Sequence, residues 1–288
     1  MNPLKQLLSQ TVIYGLSSIL GRVINYLLVP LYTYWFNPAE YGVVSEFYAY
    51  AGFFAVVLVC GLETGYFRFR NGSEAKAYST SLILILSIDS VFLFALVAGL
   101  DRLAALLHYE QHPEYLIGFG LILALDAAAA IPFARLRAEN RALRFAGIKM
   151  AEILLAVALN IYLIVICRQA FESDPNSFSA GFYDPAVGVG YIFLANLIAS
   201  ATKFLLLLPQ LGGLKAGIDF GLLARLLRYS LPMVVIGLAG IVNETLDRAI
   251  MKALLPYDLN TNLHLLGVYG ACYKLSILMS LFIQAFRY

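Results

Sequence analysis

Long apolar runs alternate with short polar segments along the whole chain. Eight of these runs contain about 20 residues each, enough to cross about 30 Å of hydrocarbon as a helix. Their apolar residues are contiguous rather than alternating, which favours helices over barrel strands. We therefore predict an all-α, polytopic transmembrane bundle with spans at about 12–34, 43–64, 79–100, 115–134, 150–167, 187–208, 230–251 and 265–286.

The composition excludes the other broad classes of protein. Hydrophobic residues make up 61% of the 288 residues and charged residues only 13%, which excludes a soluble globule and a disordered chain. The formal net charge of +2 gives no basicity that would indicate nucleic acid as a partner. The three cysteines lie in apolar runs and form neither a disulfide framework nor a zinc motif. The lipid bilayer is therefore the expected partner.

Basic residues in the loops predict the orientation. An N-terminus inside the cell places twelve Lys and Arg residues in cytoplasmic segments and three (Arg102, Arg168 and Lys252) in external ones. We expect a multi-pass protein of the inner (plasma) membrane with a cytoplasmic N-terminus. The basic segment 135–149 fits this topology and contact with anionic headgroups, and a direct role in substrate binding is the alternative.

The chain contains a weak internal repeat with an offset of 222 residues. Small and polar residues recur at matching depths, and a loop insertion of about three residues then aligns Gly42 with Gly267. Six spans separate the copies, which predicts parallel repeats. We predict a six-helix lobe at 1–222 and the start of a second lobe at 223–288, and we expect about four or more further spans to be missing. The aligned pairs in the first span of each copy are Gly15 with Gly237, Ser18 with Gly240, Arg22 with Glu244, and Asn25 with Asp247.

Seven ionisable residues lie well inside the predicted spans. Facing lipid, at about 3 kcal/mol each, they would together cost on the order of 20 kcal/mol, so they must face one another or a wet cavity. The spacing of Gly240, Glu244 and Asp247 predicts that they share one face of the seventh span. One interpretation is packing between helices, with Glu244 and Arg248 neutralising each other; the other is a hydrated pathway. Asp89 and Asp126 could be structural or could couple transport to protons or cations. The seven residues are Arg22, Asp89, Asp126, Glu244, Asp247, Arg248 and Lys274.

Sequence motifs for nucleotide binding and for hydrolytic chemistry are absent. The chain has no G-x-x-x-x-G-K-[ST], G-x-S-x-G, H-E-x-x-H or C-x-x-C motif, so we expect no bound nucleotide, no cofactor and no enzymatic activity. His108 and His112 lie in an external loop that Pro113 ends, and we interpret them as surface residues rather than metal ligands.

Several segments resemble the bacterial polysaccharide and O-antigen flippases of the multidrug/oligosaccharidyl-lipid/polysaccharide exporter superfamily. The resemblance lies in the first span, in the turn Asn37-Pro38-Ala39-Glu40-Tyr41-Gly42, and in Asp247-Arg248 with Tyr273-Lys274. It implies about twelve to fourteen spans in two lobes, with a central cavity lined by spans 1, 2, 7 and 8. It also implies that a polyprenyl-diphosphate-linked oligosaccharide crosses the inner membrane by alternating access, for O-antigen, capsule or exopolysaccharide synthesis.

The resemblance and the buried charges together predict a substrate site. We expect Arg22, Arg248 and Lys274 to contact the diphosphate and Asn25, Glu244 and Asp247 to line the path of the sugars. Three alternatives remain: a cation-coupled multidrug antiporter that uses Asp89 and Asp126, a membrane-embedded polysaccharide polymerase or ligase, and a scaffold. The scaffold would belong to a complex of glycan polymerase and assembly proteins.

Overall fold

A computed structural model describes residues 20–21, 23–24, 26–72 and 74–285. Side chains are described in these ranges except at 213–216, 275 and 277–285. Helix makes up 87% of the structure, and the described residues contain no strand. The predicted all-α class is therefore confirmed.

The α-helices follow one another through short connections. A π-helical segment (Ile161–Cys167) joins α7 to α8, and short 3-10 turns occur at Ala180–Phe182, Pro185–Val187 and Leu208–Ala216. The α-helices are α1 (26–35, with 20–21 and 23–24 also helical), α2 (Pro38–Val59), α3 (Leu62–Phe69), α4 (Glu74–Ala98), α5 (Leu100–Leu107), α6 (Pro113–Ala138), α7 (Ala142–Asn160), α8 (Arg168–Ser173), α9 (Gly190–Leu207), α10 (Phe220–Leu254) and α11 (Leu259–Ala285).

Within the part of the chain that the structure describes, six helical segments are long and apolar enough to cross a membrane, so the chain is a multi-pass membrane protein. They coincide with the second to seventh predicted spans. Residues 12–19, 22 and 25 of the first predicted span lie outside the described residues, and the eighth span falls on α11, whose side chains are described only in part. The six segments are Pro38–Phe69, Glu74–Ala98, Pro113–Ala138, Ala142–Ser173, Gly190–Gly212 and Phe220–Leu254.

The chain reverses direction at two opposite ends of the bundle, each with its own buried apolar cluster. Tyr32, Phe47 and Phe193 pack together in the first cluster, and Tyr66 and Tyr78 belong to the second. We call the first the Asn37 end, with connections at 36–37, 108–112, 174–189 and 255–258, and the second the Asp219 end, with connections at 70–72, 139–141 and 208–219. The predicted orientation makes the Asn37 end external.

Local sequence determines where α2 begins and bends. The Asn37 side chain accepts a hydrogen bond from the Glu40 amide (2.9 Å), and the Glu40 carboxylate accepts one from the Asn37 amide (2.8 Å). This capping box satisfies amide groups that the first helical turn leaves free. At the other end, Cys60 (φ 51°) and Gly61 (φ 63°) adopt left-handed conformations, which separate α2 from α3.

Helices α2 and α11 approach each other through two glycines near the Asn37 end. A Cβ atom on Gly42 would lie 2.0 Å from the carbonyl oxygen of Leu263, and one on Gly267 would lie 1.8 Å from that of Pro38. The contact is symmetric, because each glycine abuts the carbonyl four residues before the other glycine. Only residues without a Cβ allow such proximity between helix backbones. Gly42 and Gly267 are also the glycines that the sequence repeat aligns.

Candidate functional site

Helix α10 has one face packed on α2 and one exposed polar flank. Gly237 lies against Val56, and Ile241 lies against Gly52. Gly240, Glu244 and Asp247 are exposed on the flank, at the spacing that the sequence predicts for one shared face. Ionisable side chains of a membrane helix are costly in lipid, so this flank must face water or protein.

Arg248 lies where this polar flank meets α11. Its guanidinium carbon is 4.1 Å from the ring centre of Tyr273, and its Nε lies 3.6 Å from a carboxylate oxygen of Asp247. It also donates a hydrogen bond to the backbone carbonyl of Glu244. Arg248 thus pairs with the adjacent Asp247 rather than with the Glu244 side chain, the partner in one of the two interpretations of the sequence. The other carboxylate oxygen of Asp247 accepts a hydrogen bond from Tyr269.

Lys274 of α11 points at two tyrosine rings of α2. Its Nζ lies 5.0 Å from the ring centre of Tyr48 and 5.7 Å from that of Tyr41. Among the described residues, no carboxylate forms an ion pair with it, and it directly follows Tyr273, the ring on which the guanidinium of Arg248 packs. Two predicted substrate residues are thus neighbours, with like charges and aromatic surroundings. This arrangement can accept an anion, because a bound anion would relieve the repulsion between them.

The remaining predicted substrate residues have different outcomes. Arg22 and Asn25 lie outside the described residues, so the first-span part of the predicted site has no structural counterpart. Glu244 and Asp247 share the exposed flank of α10 beside Arg248. The described part of the predicted site is therefore made by α10 and α11 with rings from α2.

Asp126, a candidate for ion coupling, belongs to a network of charges between α6, α7 and α9. Its carboxylate accepts hydrogen bonds from Lys203 (2.6 Å) and Ser200 (2.7 Å). The same Lys203 ammonium lies 2.6 Å from Glu152, and only 3% of its side chain is exposed. A lysine therefore occupies the position between two carboxylates that a coupling cation would need.

Asp89, the other coupling candidate, has no such partner. It is 5% exposed in α4, and neither carboxylate oxygen has a hydrogen-bond partner among the described residues. It lies on the buried face of α4 together with Leu82 and Ile85, and these two residues belong to the apolar cluster of the Asp219 end. A buried polar group that lacks partners is costly, and such groups are common at functional sites.

A second buried cluster of charges was missed by the sequence analysis. Lys252, which we had assigned to an external loop, is in the last turn of α10 and is 8% exposed. Its ammonium lies 2.9 Å from the carboxylate of Glu46 in α2, which is 1% exposed. The sequence contains one indication that these charges are intramembrane. Each of the three residues Glu46, Glu152 and Lys203 lies inside an apolar run, near its end.

Carboxylates of the same chain neutralise part of the positive charge in the basic segment 135–149. Arg137 pairs with Glu63 of α3 at 2.6 Å, and Arg135 and Arg141 both pair with Glu139, at 2.7 and 3.0 Å. These pairs leave less free charge for headgroups or substrate than the sequence suggests. The segment therefore also has a structural part in closing the Asp219 end.

Two cavities lie at the Asn37 end. One, of about 390 Å³, is bordered by Glu46, Lys252 and Asn262, and the other, of about 540 Å³, by Glu40, Tyr109 and His112. None of the predicted substrate residues lines either cavity. No family model, curated protein or solved structure matches the chain, so the family stays a prediction from the resemblance.

Proposed function

We propose that this protein flips a polyprenyl-diphosphate-linked oligosaccharide across the bacterial inner membrane during synthesis of surface polysaccharide. The observation that supports this most is the placement of two cations, Arg248 and Lys274, on tyrosine rings beside the polar flank of a membrane helix. Intramembrane cations at such a position are typical of a pathway for anionic substrates. A diphosphate headgroup cannot cross hydrocarbon unaided, while its lipid tail can stay in the bilayer.

The side chains around this pair suit the parts of such a headgroup. Arg248 can bind a phosphate through two parallel N–H groups, and Lys274 adds a compact charge that has no carboxylate partner among the described residues. Glu244 and Asp247 on the exposed flank can accept hydrogen bonds from sugar hydroxyls. In this proposal the cations bind the diphosphate and the carboxylates bind the glycan.

The glycine contact between α2 and α11 supports a two-lobed arrangement with alternating access. In this proposal, residues 1–222 form the first lobe and α10 and α11 begin the second. The symmetric contact of Gly42 and Gly267 then lies on the axis that relates two parallel repeats. Close backbone contact without large side chains allows one lobe to rock against the other.

One observation favours the cation-coupled antiporter as a second candidate. Asp89 is a buried carboxylate without a hydrogen-bond partner among the described residues, as expected of a group that binds and releases a proton. Asp126 is a weaker candidate because Lys203 already neutralises it. The two functions differ in the charge of the cargo, so transport assays can separate them.

The proposal is tested in proteoliposomes that contain a fluorescent polyprenyl-diphosphate oligosaccharide. A membrane-impermeant oxidant is added outside the vesicles. With the wild-type protein it should oxidise the glycan of both leaflets, whereas with Lys274→Ala or Arg248→Ala it should oxidise only the glycan of the outer leaflet. Arg225→Ala is the matched control, because Arg225 is an exposed arginine near the start of α10 and lies 23 positions before Arg248 along that helix. Transport of organic cations without any movement of the glycan would support the antiporter instead.

A further inference from the structure

We propose that Lys252 and Glu46 form a latch that closes the external side of the transport pathway and must break in each cycle. The inference rests on the proposed function, in which α2 and α10 belong to different lobes. We call this cluster the Lys252 latch; it comprises Lys252, Glu46, Tyr50, Tyr109 and the carbonyl of Leu107.

The Lys252 ammonium connects three elements of the Asn37 end. It donates to the Glu46 carboxylate of α2 at 2.9 Å and to the carbonyl of Leu107, at the end of α5, at 2.6 Å. It also lies 4.2 Å from the ring centre of Tyr109, in the connection that follows α5. One side chain of α10 thus holds α2 and the α5–α6 connection together.

Glu46 is the shared acceptor of the cluster. Besides Lys252, it accepts hydrogen bonds from the hydroxyls of Tyr50 (2.7 Å) and Tyr109 (2.6 Å). With these donors its negative charge is well satisfied, although the residue is almost completely buried. Removing Lys252 would leave that charge without its counterion, and breaking a buried pair in this way is strongly destabilising for the closed arrangement.

Asn262 extends the latch to α11. Its amide nitrogen donates to the carbonyls of Lys252 and Leu255, both at 3.0 Å, so the turn between α10 and α11 is fixed to the last turn of α10. The glycine contact between α2 and α11 lies at the same end. Both helices of the proposed second lobe are therefore held against α2 on the external side.

Two features distinguish the latch from an ion pair that only stabilises the fold. The first is the cavity of about 390 Å³ beside Glu46 and Lys252, which gives water access to a pair that would otherwise be sealed. The second is the contrast with the opposite end, where the ion pair that the described residues form at the N-cap of α10 is the solvent-exposed pair of Asp219 and Lys76, at 3.3 Å. Exposed ion pairs contribute little to stability. The ion pairing that holds α10 against the proposed first lobe is therefore strongest on the external side.

The buried pair Lys203–Glu152 provides a matched control. Its ion pair is as short as that of the latch and its lysine is as buried, with 3% of the side chain exposed against 7% for Lys252, although Glu152 is 14% exposed and Glu46 only 1%. Its lysine and both of its carboxylates lie on α6, α7 and α9, within the proposed first lobe. Lys203→Met should therefore lower stability without changing access to the pathway.

Thiol labelling measures the opening directly. Gly240 is a suitable reporter position, because it lies on the exposed flank of α10 and a Cβ atom there meets no atom within 4 Å. Gly240→Cys is introduced after the native cysteines are replaced by alanine, and an impermeant maleimide is confined in turn to each side of the membrane. Lys252→Met should raise labelling from the Asn37 side alone by about tenfold or more, since loss of a buried pair shifts a two-state equilibrium at least that far.

A milder variant and a rescue keep the test decisive. If Lys252→Met does not fold, Tyr109→Phe removes one donor to Glu46 without changing the packing, and it should give a smaller increase in labelling on the same side. Exchanging the charges with Glu46→Lys and Lys252→Glu should restore low labelling. Unchanged labelling in Lys252→Met or Tyr109→Phe, or an equal increase in Lys203→Met, would overturn the latch.

The labelling needs no lipid-linked sugar, so its result is separable from that of the proposed function. A protein that opens but moves no glycan refutes the flippase and keeps the latch. If the wild-type protein moves glycan but labelling is unchanged in Lys252→Met, the flippase is supported and the latch is refuted.

Discussion

Adding one methyl group at Gly267 should force α2 and α11 apart. In Gly267→Ala the new Cβ would lie 1.8 Å from the Pro38 carbonyl oxygen, whereas real Cβ atoms essentially never approach closer than 3.0 Å. The helices must therefore separate by about 1.2 Å, because a backbone carbonyl cannot rotate away as a side chain can. Overpacking of this kind costs about 1–3 kcal/mol, and a rigid obstacle places the cost near the upper limit.

The helix preference of alanine offsets part of this cost. Alanine is favoured over glycine in a helix by about 1 kcal/mol, so the net loss is about 2 kcal/mol. At about 2–4 °C per kcal/mol for a chain of this size, the midpoint of thermal unfolding should fall by about 4–8 °C. The assay is thermal unfolding of the purified protein in detergent, followed by tyrosine and tryptophan fluorescence.

Gly240→Ala is the control, because the same change on α10 meets open space. It should raise the midpoint by about 2–4 °C, since only the helix preference acts there. Gly42→Ala should resemble Gly267→Ala, and the double variant should lose less than the sum of the two, because one separation of the helices relieves both clashes. Equal midpoints for Gly267→Ala and Gly240→Ala would refute the close contact between α2 and α11.

Three further predictions concern single side chains. Lys203→Met should lower the free energy of unfolding by about 1.5–3 kcal/mol, because it removes charged hydrogen bonds to Asp126 and Glu152 while Lys149 stays paired with Glu152, and denaturant unfolding measures this. Asp89→Leu should raise it by about 1–3 kcal/mol by removing an unpaired buried polar group; if Asp89 couples transport, the stabilised variant will also be inactive in proteoliposomes. At the exposed N-cap of α10, hydrogen bonds from the Leu222 amide and from Lys76 hold the pKa of Asp219 below its usual value. The charge of Asp219 therefore stabilises the fold above about pH 4, and the advantage of wild type over Asp219→Asn should vanish as pH falls through the lowered pKa.

The spans were largely predictable because hydropathy is a local property. The predicted second to seventh spans each overlap one of the six membrane-length helices, and the differences are at the ends, where most helices extend beyond their apolar runs. Helix α10 continues to Leu254, one turn past the predicted end at 251. That turn contains Lys252, which the predicted span boundaries assign to an external loop.

Pairing between helices was not predictable from a single sequence. Glu46 and Lys252 are 206 positions apart, and the Lys203 contacts join positions 51 and 77 apart. Such partners are decided by which helix faces meet, and no local pattern encodes that. The spacing of Gly240, Glu244 and Asp247 did predict a shared face, since a helix repeats every 3.6 residues.

The function depends on whether Arg248 and Lys274 bind a diphosphate, and direct binding tests this. Titration of the purified protein with a polyprenyl diphosphate should give an affinity that falls about tenfold to a hundredfold in Lys274→Ala, because a hydrogen bond to a charged group contributes about 1.5–3 kcal/mol. Arg225→Ala should bind like the wild type. Equal affinity in Lys274→Ala and Arg225→Ala, or no binding by the wild-type protein, would contradict the account.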